Sequence, residues 1–217
     1  MTDRIISILL DSFWQILLPG LVTTIPLTLV SFFFGIIIAL ITALVQVAEI
    51  RVLKRLAGIY VWIIRGTPLL VQLYVIFYGL PTFGILLDAF PAAVIAFSIN
   101  VGAYCSETIR AAILSIPKGQ MEAGYCSGLN YIQIMGRIVL PQALKVAFPS
   151  LFNSFIGLTK DTSLAANITV LEMFMATQRI AARTYEPFAL YCEVGLIYLM
   201  MCTILTRLQR FGERKLK

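Results

Sequence analysis

The sequence of 217 residues contains no histidine, and only 13% of its residues are charged. Without histidine the chain has no imidazole for acid–base catalysis or for binding a metal. A soluble domain usually carries about 25% charged residues, so this composition argues against an ordinary cytosolic enzyme and against a disordered chain. Because 59% of the residues are apolar, the composition indicates an integral membrane protein.

Cysteine is also scarce, and its placement excludes the usual cysteine sites. The four cysteines form no CxxC pair and lie in or beside apolar runs. Cysteines in such positions usually pack as small apolar side chains. We therefore predict no metal site and no catalytic residue in this chain.

The chain also lacks a phosphate-binding loop of the form Gly-x4-Gly-Lys-Ser/Thr. That loop is the usual nucleotide-binding motif of an ATPase. The protein therefore has no evident ATP site of its own, and it must take energy from a partner or use none.

Long runs without charge dominate the sequence. The first extends from Ser12 to Ala48 and exceeds the roughly 20 residues that a helix needs to cross a bilayer. It predicts one long spanning helix that is irregular near Pro19 and Pro26. Together with four later apolar runs, it predicts that residues 1–217 form a single all-α membrane domain with five spanning helices. The predicted spans cover about residues 13–48, 58–80, 91–113, 142–160 and 186–207. Residues 65–68, which end in Pro68, are predicted to break a helix within the second span.

One further segment is too polar to span and repeats its apolar residues at helical spacing. In residues 162–183 the repeating residues are Leu164, Ile168, Leu171 and Met175. This spacing predicts an amphipathic helix that lies at the surface or re-enters the membrane.

The positive charge of the chain sets its expected orientation. Seventeen Lys and Arg against eleven Asp and Glu give a net charge of +6. A nucleic-acid-binding protein would gather these residues on a soluble face, whereas here they lie between apolar runs. With five spans, Arg4, Lys160, Arg179 and Arg183 fall on one side of the membrane. All the other Lys and Arg residues fall on the opposite side, which the positive-inside rule makes cytoplasmic. We expect the N-terminus outside and the C-terminus in the cytoplasm.

The segment of residues 115–141, here called the coupling loop, is far longer than a turn between two spans requires. Pro117 can begin a short helix, and Gly128 permits the left-handed turn that ends it. Ala123 and Gly124 are small enough for another surface to approach this helix closely. The loop is therefore predicted to be structured, exposed on the cytoplasmic side and suited to docking.

The coupling loop resembles the EAA loop of ATP-binding-cassette (ABC) importer permeases. That pattern is Glu-Ala-Ala, three residues, Gly, nine residues, Ile, one residue and Leu-Pro. Gly124 stands where the pattern has its second Ala, and this change keeps the residue small. Six positions match at the right spacing: Glu122, Ala123, Gly128, Ile138, Leu140 and Pro141.

Further stretches are similar to the polar amino acid branch of these permeases. They include residues 65–72, 118–120, 140–143, 153–156 and 160–165. Within that branch, residues 78–81, 163–166 and 183–184 look most like the permeases for L-cystine. The resemblance covers about residues 23–210 of the chain.

The resemblance implies the transmembrane domain of a type I ABC importer for an amino acid, located in a bacterial cell membrane. Such a chain is a transporter subunit and not an enzyme. A second permease copy, expected as a homodimer partner, would complete the pathway, and two ATPase subunits would hold ATP and Mg²⁺ outside this chain. A solute-binding protein would deliver the substrate. The residues implied in ATPase coupling are Glu122, Ala123, Gly124, Gly128, Ile138, Leu140 and Pro141.

Polar side chains inside the predicted spans are the candidate substrate contacts, because a polar group in the bilayer is costly unless it is paired or faces water. Asn100, Asn153 and Ser154 can each form an interhelical hydrogen bond or contact the substrate. Glu107 lies three residues before Arg110, so it can form an ion pair along one helix face or bind an ammonium group.

Two other functional classes remain open from the residues alone. An ion-coupled secondary transporter of small polar solutes is the alternative, although such carriers favour acids or inverted repeats near the bilayer midplane. A membrane enzyme would need a cluster of catalytic side chains, and the sequence offers none. Neither class has a use for a docking helix at residues 122–128.

Overall fold

The computed structural model describes residues 2–48 and 50–216, and every regular element within them is a helix. Short π-helical and 3₁₀ turns join the α-helices at several places. The α-helices are α1 (Thr2–Pro19), α2 (Ile25–Val47), α3 (Arg51–Gly66), α4 (Leu69–Tyr74), α5 (Ala89–Ser115), α6 (Lys118–Cys126), α7 (Tyr131–Ile134), α8 (Leu140–Asp161), α9 (Met173–Thr184) and α10 (Pro187–Leu216).

Helices α1 and α2 form one long rod that contains the predicted irregularity. A π-helical turn, Gly20–Thr24, joins them, with Pro19 before it and Pro26 in the first turn of α2. A proline lacks the N–H that the helix ladder needs, so the irregular turn near these residues is confirmed. The helix itself begins at Thr2, before the predicted span at about residue 13. The 45 residues of Asp3–Val47 extend about 67 Å, more than twice the bilayer core.

The second predicted span, residues 58–80, is not one straight helix. Helix α3 and the segment Leu69–Phe83 meet at an angle of 106°. Thr67 adopts an extended backbone, and Pro68 follows it without an N–H to donate. Because a residue before proline disfavours the helical conformation, the chain turns at this point. The break that the sequence places at residues 65–68 is confirmed.

Membrane-spanning capacity can be judged by length and composition. In the described part of the chain, Asp3–Val47, Ala89–Ser115 and Pro187–Leu216 each qualify, and the bent pair of α3 and Leu69–Phe83 adds a fourth if it counts as one span. Helix α8, which holds the fourth predicted span, is not among them. The count of five spans therefore stays a prediction.

Helix α5 lies at the centre of the bundle and packs closely against α2. At Gly35 of α2, an added Cβ would lie 2.6 Å from Val101 Cγ1, and at Gly102 of α5 it would lie 2.6 Å from Ile38 Cγ2. Small residues of this kind allow two membrane helices to approach closely. The Tyr60 hydroxyl donates to the Ile99 carbonyl at 2.6 Å, which attaches α3 to the same central helix.

The single amphipathic helix predicted for residues 162–183 is wrong. A 3₁₀ helix, Thr162–Ile168, ends at Thr169, which has a left-handed backbone with φ of 66°. The chain then turns, and Glu172 begins α9 by accepting hydrogen bonds at the N-terminus of that helix. This capping arrangement competes with helix continuation, and the apolar periodicity does not reveal it.

Candidate functional site

A cavity of about 360 Å³, here called the central cavity, lies where the α3–α4 bend meets α5 and α8. Thr67 contributes from the bend, Asn100 and Tyr104 from α5, and Ser154 and Asp161 from α8. The walls thus present a carboxylate, an amide and three hydroxyl groups among apolar neighbours. Such a mixture of a few convergent polar groups in an apolar wall is typical of small-molecule sites.

Gln72 organises the bend that forms one wall of the central cavity. It is 9% exposed, and its Nε2 lies 2.8 Å from the Ile64 carbonyl oxygen and 2.9 Å from Thr67 Oγ1. Its Oε1 accepts a hydrogen bond of 3.0 Å from Asn100 Nδ2. The sequence shows Gln72 only as part of a family motif, whereas the structure shows what its side chain does.

The predicted substrate contacts divide between different places in the structure. Asn100 and Ser154 both line the central cavity, so the structure brings these two together. Asn153 is exposed and is not part of the cavity wall. Glu107 lines a second cavity. The acid that lines the central cavity with Asn100 and Ser154 is Asp161. Asp161 lies just beyond the fourth predicted span and follows Lys160, and an acid at the end of a span could have suggested it.

The second cavity, here called the inner cavity, has a volume of about 400 Å³ and lies along α5 toward the coupling loop. Gln46 from α2, Lys54 and Gly58 from α3, and Glu107 and Arg110 from α5 contribute to its wall. Arg110 Nη2 donates to Glu107 Oε2 at 2.7 Å, and Arg110 Nε donates to the other carboxylate oxygen at 3.3 Å. The ion pair predicted from the spacing is confirmed.

One face of α5 connects the two cavities. Asn100, Tyr104, Glu107 and Arg110 follow one another at intervals of three or four residues, which places them along the same side of a helix. The first two line the central cavity and the last two line the inner cavity. The Arg65 guanidinium lies 5.3 Å from the centre of the Tyr104 ring, as in a cation–π contact.

The coupling loop is folded as the sequence predicts. Pro117 directly precedes α6, and Gly128 ends it with a left-handed φ of 78°. Gly124 is buried, and an added Cβ there would lie 2.8 Å from Ile134 Cγ1. The small residue at this position is therefore required inside the loop, between α6 and α7, and not only at an outer surface.

The outer side of the loop forms an exposed surface, here called the loop surface. Glu122 and Ala123 are exposed on α6 together with Tyr125, and Ile132 of α7 is 80% exposed. Among the other matched residues, Ile138 and Leu140 are half-buried and Pro141 is exposed. They connect the loop through the π-helical turn Met135–Val139 to α8.

Most of the chain matches one known family of transport components. Residues 35–217 match the family model described as "Binding-protein-dependent transport system inner membrane component". The chain is 53% identical to the L-cystine transport system permease protein TcyB of Bacillus subtilis (strain 168), over 95% of this chain and 88% of that protein. It is 37% identical to the arginine transport system permease protein ArtQ of the same organism, over 93% of this chain and 92% of ArtQ.

A solved structure agrees with these sequence relationships. The crystal structure of an amino acid ABC transporter with histidines superposes with a TM-score of 0.87 at 34% identity. The match covers 95% of this chain and 96% of that chain.

Proposed function

The chain belongs to the family of inner membrane components of binding-protein-dependent transport systems, and we propose that it moves L-cystine or a related polar amino acid. It is the permease component of an amino acid ABC importer, a type of permease that works with ATPase subunits and a solute-binding protein. The identity of 53% with a permease for L-cystine supports that substrate, and the 37% identity with an arginine permease supports the wider class of polar amino acids.

The convergence of Asn100, Ser154 and Asp161 on the central cavity carries this proposal. An amino acid presents an ammonium group and a carboxylate, which need an anionic acceptor and several donors respectively. Asp161 supplies the acceptor for the ammonium group, and the hydroxyl and amide groups of the other two residues supply donors. The cavity volume of about 360 Å³ lies within the roughly 300–1,000 Å³ of small-molecule sites.

The loop surface is the proposed docking site for the ATPase. Glu122, Ala123 and Tyr125 are exposed there, and α8 begins at Leu140, at the end of the coupling loop. The far part of α8 carries Ser154 and Asp161 into the central cavity. A displacement of the loop by the ATPase would therefore move one wall of the cavity through a single helix.

The proposed membrane arrangement keeps five spans, an outer N-terminus, a cytoplasmic C-terminus and a homodimer in a bacterial inner membrane. Helix α8 has 22 residues, so its length of about 33 Å matches the bilayer core. The basic residues of the coupling loop and of the end of α10 then share the cytoplasmic side. A homodimer provides two loop surfaces for two ATPase subunits.

Transport by the reconstituted complex tests the proposal. The chain is placed in proteoliposomes with its ATPase and its solute-binding protein, and uptake of radiolabelled L-cystine is measured with unlabelled amino acids as competitors. We expect uptake only with ATP. An uptake driven by a proton or sodium gradient without ATP would instead show a secondary transporter.

Variants of the central cavity test the site itself. Asn100→Leu and Asp161→Asn remove a donor and an anionic acceptor, and we expect each to lower uptake at least about tenfold, as when a buried polar partner is lost. Asn153→Leu is the matched control, because Asn153 is exposed beside the cavity residue Ser154. Normal transport kinetics in both cavity variants would refute the cavity as the substrate site.

A further inference from the structure

The inner cavity contains charged groups of both signs that three helices bring together. Gln46 belongs to α2, Lys54 and Gly58 to α3, and Glu107 and Arg110 to α5. Nothing lies within 4 Å of the position that a Cβ would take at Gly58, so the wall is open there. The volume of about 400 Å³ is sufficient for a small polar molecule.

Two hydrogen-bond acceptors converge at one side of this cavity. The Gln46 side chain lies within hydrogen-bonding reach of the Glu107 carboxylate. Its Oε1 is buried and has no hydrogen-bond partner among the residues that the structure describes. A buried polar atom without a partner is unfavourable, so this oxygen and the carboxylate together form a place for a cationic donor such as an ammonium group.

The cationic residues of the cavity can bind the carboxylate of an amino acid whose ammonium group binds the acceptors. Arg110 and Lys54 line the cavity with Glu107, and a guanidinium can hold a carboxylate through two parallel hydrogen bonds. The side chains of Arg110 and Glu107 are 36% and 26% exposed. Because an ion pair this open to solvent is only weakly stabilising, each partner can exchange the other for a ligand group.

We propose that the inner cavity is a second binding site for the transported amino acid, occupied after the central cavity and before release. The ammonium group binds Glu107 and Gln46, and the carboxylate binds Arg110. On the same face of α5, the inner-cavity residues Glu107 and Arg110 follow Tyr104 of the central cavity. The inference rests on the proposed function, because the ligand is the permease's own substrate.

Equilibrium binding tests the second site. The complex of permease and ATPase is placed in nanodiscs without nucleotide or solute-binding protein, and the probe is the radiolabelled amino acid that the uptake assay identifies. We expect two bound equivalents per permease copy. Glu107→Gln should weaken binding of one equivalent at least about tenfold, and Asp161→Asn should weaken the other. Asp11→Asn, a carboxyl-to-amide change on the exposed side of α1, should retain both.

A charge exchange separates ligand binding from a purely structural ion pair. The double variant Glu107→Arg/Arg110→Glu keeps opposite charges but moves the carboxylate away from Gln46. We expect it to retain the wild-type Tm and to lose the second equivalent. One equivalent in the wild type, or two in every variant of residues 107 and 110, would overturn the inner site while leaving the proposed function intact. Failure of the wild type to take up any amino acid would overturn both.

Discussion

The side-chain amide of Asn100 donates a hydrogen bond of 3.0 Å to Gln72 Oε1, which joins the central helix α5 to the beginning of α4. The same glutamine lies within hydrogen-bond distance of the carbonyl oxygens of Ile64 and Thr67 at the end of α3. Those carbonyls would otherwise lack partners where the helix stops. A residue of the central cavity is thus held by the residue that fixes the bend beside it.

Replacing Gln72 with Leu should therefore affect both the bend and the site. The change leaves the Ile64 and Thr67 carbonyls and the Asn100 amide without their partner, and we expect the free energy of unfolding to fall by about 2 kcal/mol. Uptake should fall several-fold because Asn100 is no longer held. Thermal unfolding in detergent and ATP-driven uptake measure the two effects. Gln15→Leu on the exposed side of α1 is the control, and an equal Tm decrease in both variants would contradict the role of Gln72.

Two substitutions of Gly128 distinguish the effect of backbone strain in the coupling loop from the effect of lost ATPase docking. Its φ of 78° is left-handed, and an added Cβ there would meet no atom within 4 Å. Asn and Asp both tolerate this backbone better than other side chains, so Gly128→Asn should keep uptake within about twofold. Gly128→Asp adds a negative charge beside the loop surface and should abolish ATP-dependent uptake while the chain still inserts.

Co-purification of the ATPase with Gly128→Asn and with Gly128→Asp shows whether the added charge prevents ATPase association. Loss of association in Gly128→Asp but not in Gly128→Asn supports docking at this surface. Equal association and uptake in both variants would show that the ATPase binds elsewhere.

Gly124 and Ile134 form a tight internal contact that a double-variant cycle can measure. An added Cβ at residue 124 would lie 2.8 Å from Ile134 Cγ1, so Gly124→Ala alone should overpack the loop and cost about 1–3 kcal/mol. Ile134→Val shortens the opposing side chain, and the double variant should recover part of that loss. Chemical denaturation checks the coupling between the two sites. Additive effects of the two changes would show that the contact carries no strain.

The features that were predicted correctly from the sequence are local ones. The break before Pro68 follows from the missing N–H and from the restriction on the preceding residue, and the turn at Gly128 follows from the conformational freedom of glycine. The Glu107–Arg110 pair follows from a spacing of three residues on one helix. Each of these depends only on neighbours in the chain, so the sequence contains the needed information.

The features that escaped prediction depend on contacts between distant segments. Asp161 joins Asn100 in the central cavity only because α8 packs beside α5, and no spacing in the sequence expresses that packing. Gln72 reaches back to Ile64 because the chain reverses direction at the bend. Glu172 interrupts the apparent amphipathic helix because its carboxylate is buried against Tyr198 of α10.

Glu172 is a fully buried carboxyl group that caps α9. Its Oε2 accepts hydrogen bonds from the backbone N–H of Phe174 at 2.8 Å and from the Tyr198 hydroxyl at 3.2 Å, and its Oε1 accepts from the backbone N–H of Met175 at 2.6 Å. Burial raises the pKa of Glu172 above its ordinary value of 4.5, although these three hydrogen bonds oppose the increase. The cap stabilises the helix, while the burial of its charge carries a cost.

The raised pKa of Glu172 has a consequence for stability that pH can reveal. Because the folded protein holds this proton more tightly than the unfolded chain, the contribution of Glu172 is fully present below about pH 4.5 and decreases as the pH rises through the folded pKa. Glu172→Gln removes the titration and one capping acceptor, and it should lower stability by about 1 kcal/mol at acid pH. The Tm difference between wild type and this variant should then shrink toward neutral pH. Glu122→Gln, on the exposed side of α6, is the control, and a Tm difference for Glu172→Gln that grows with pH would contradict the prediction.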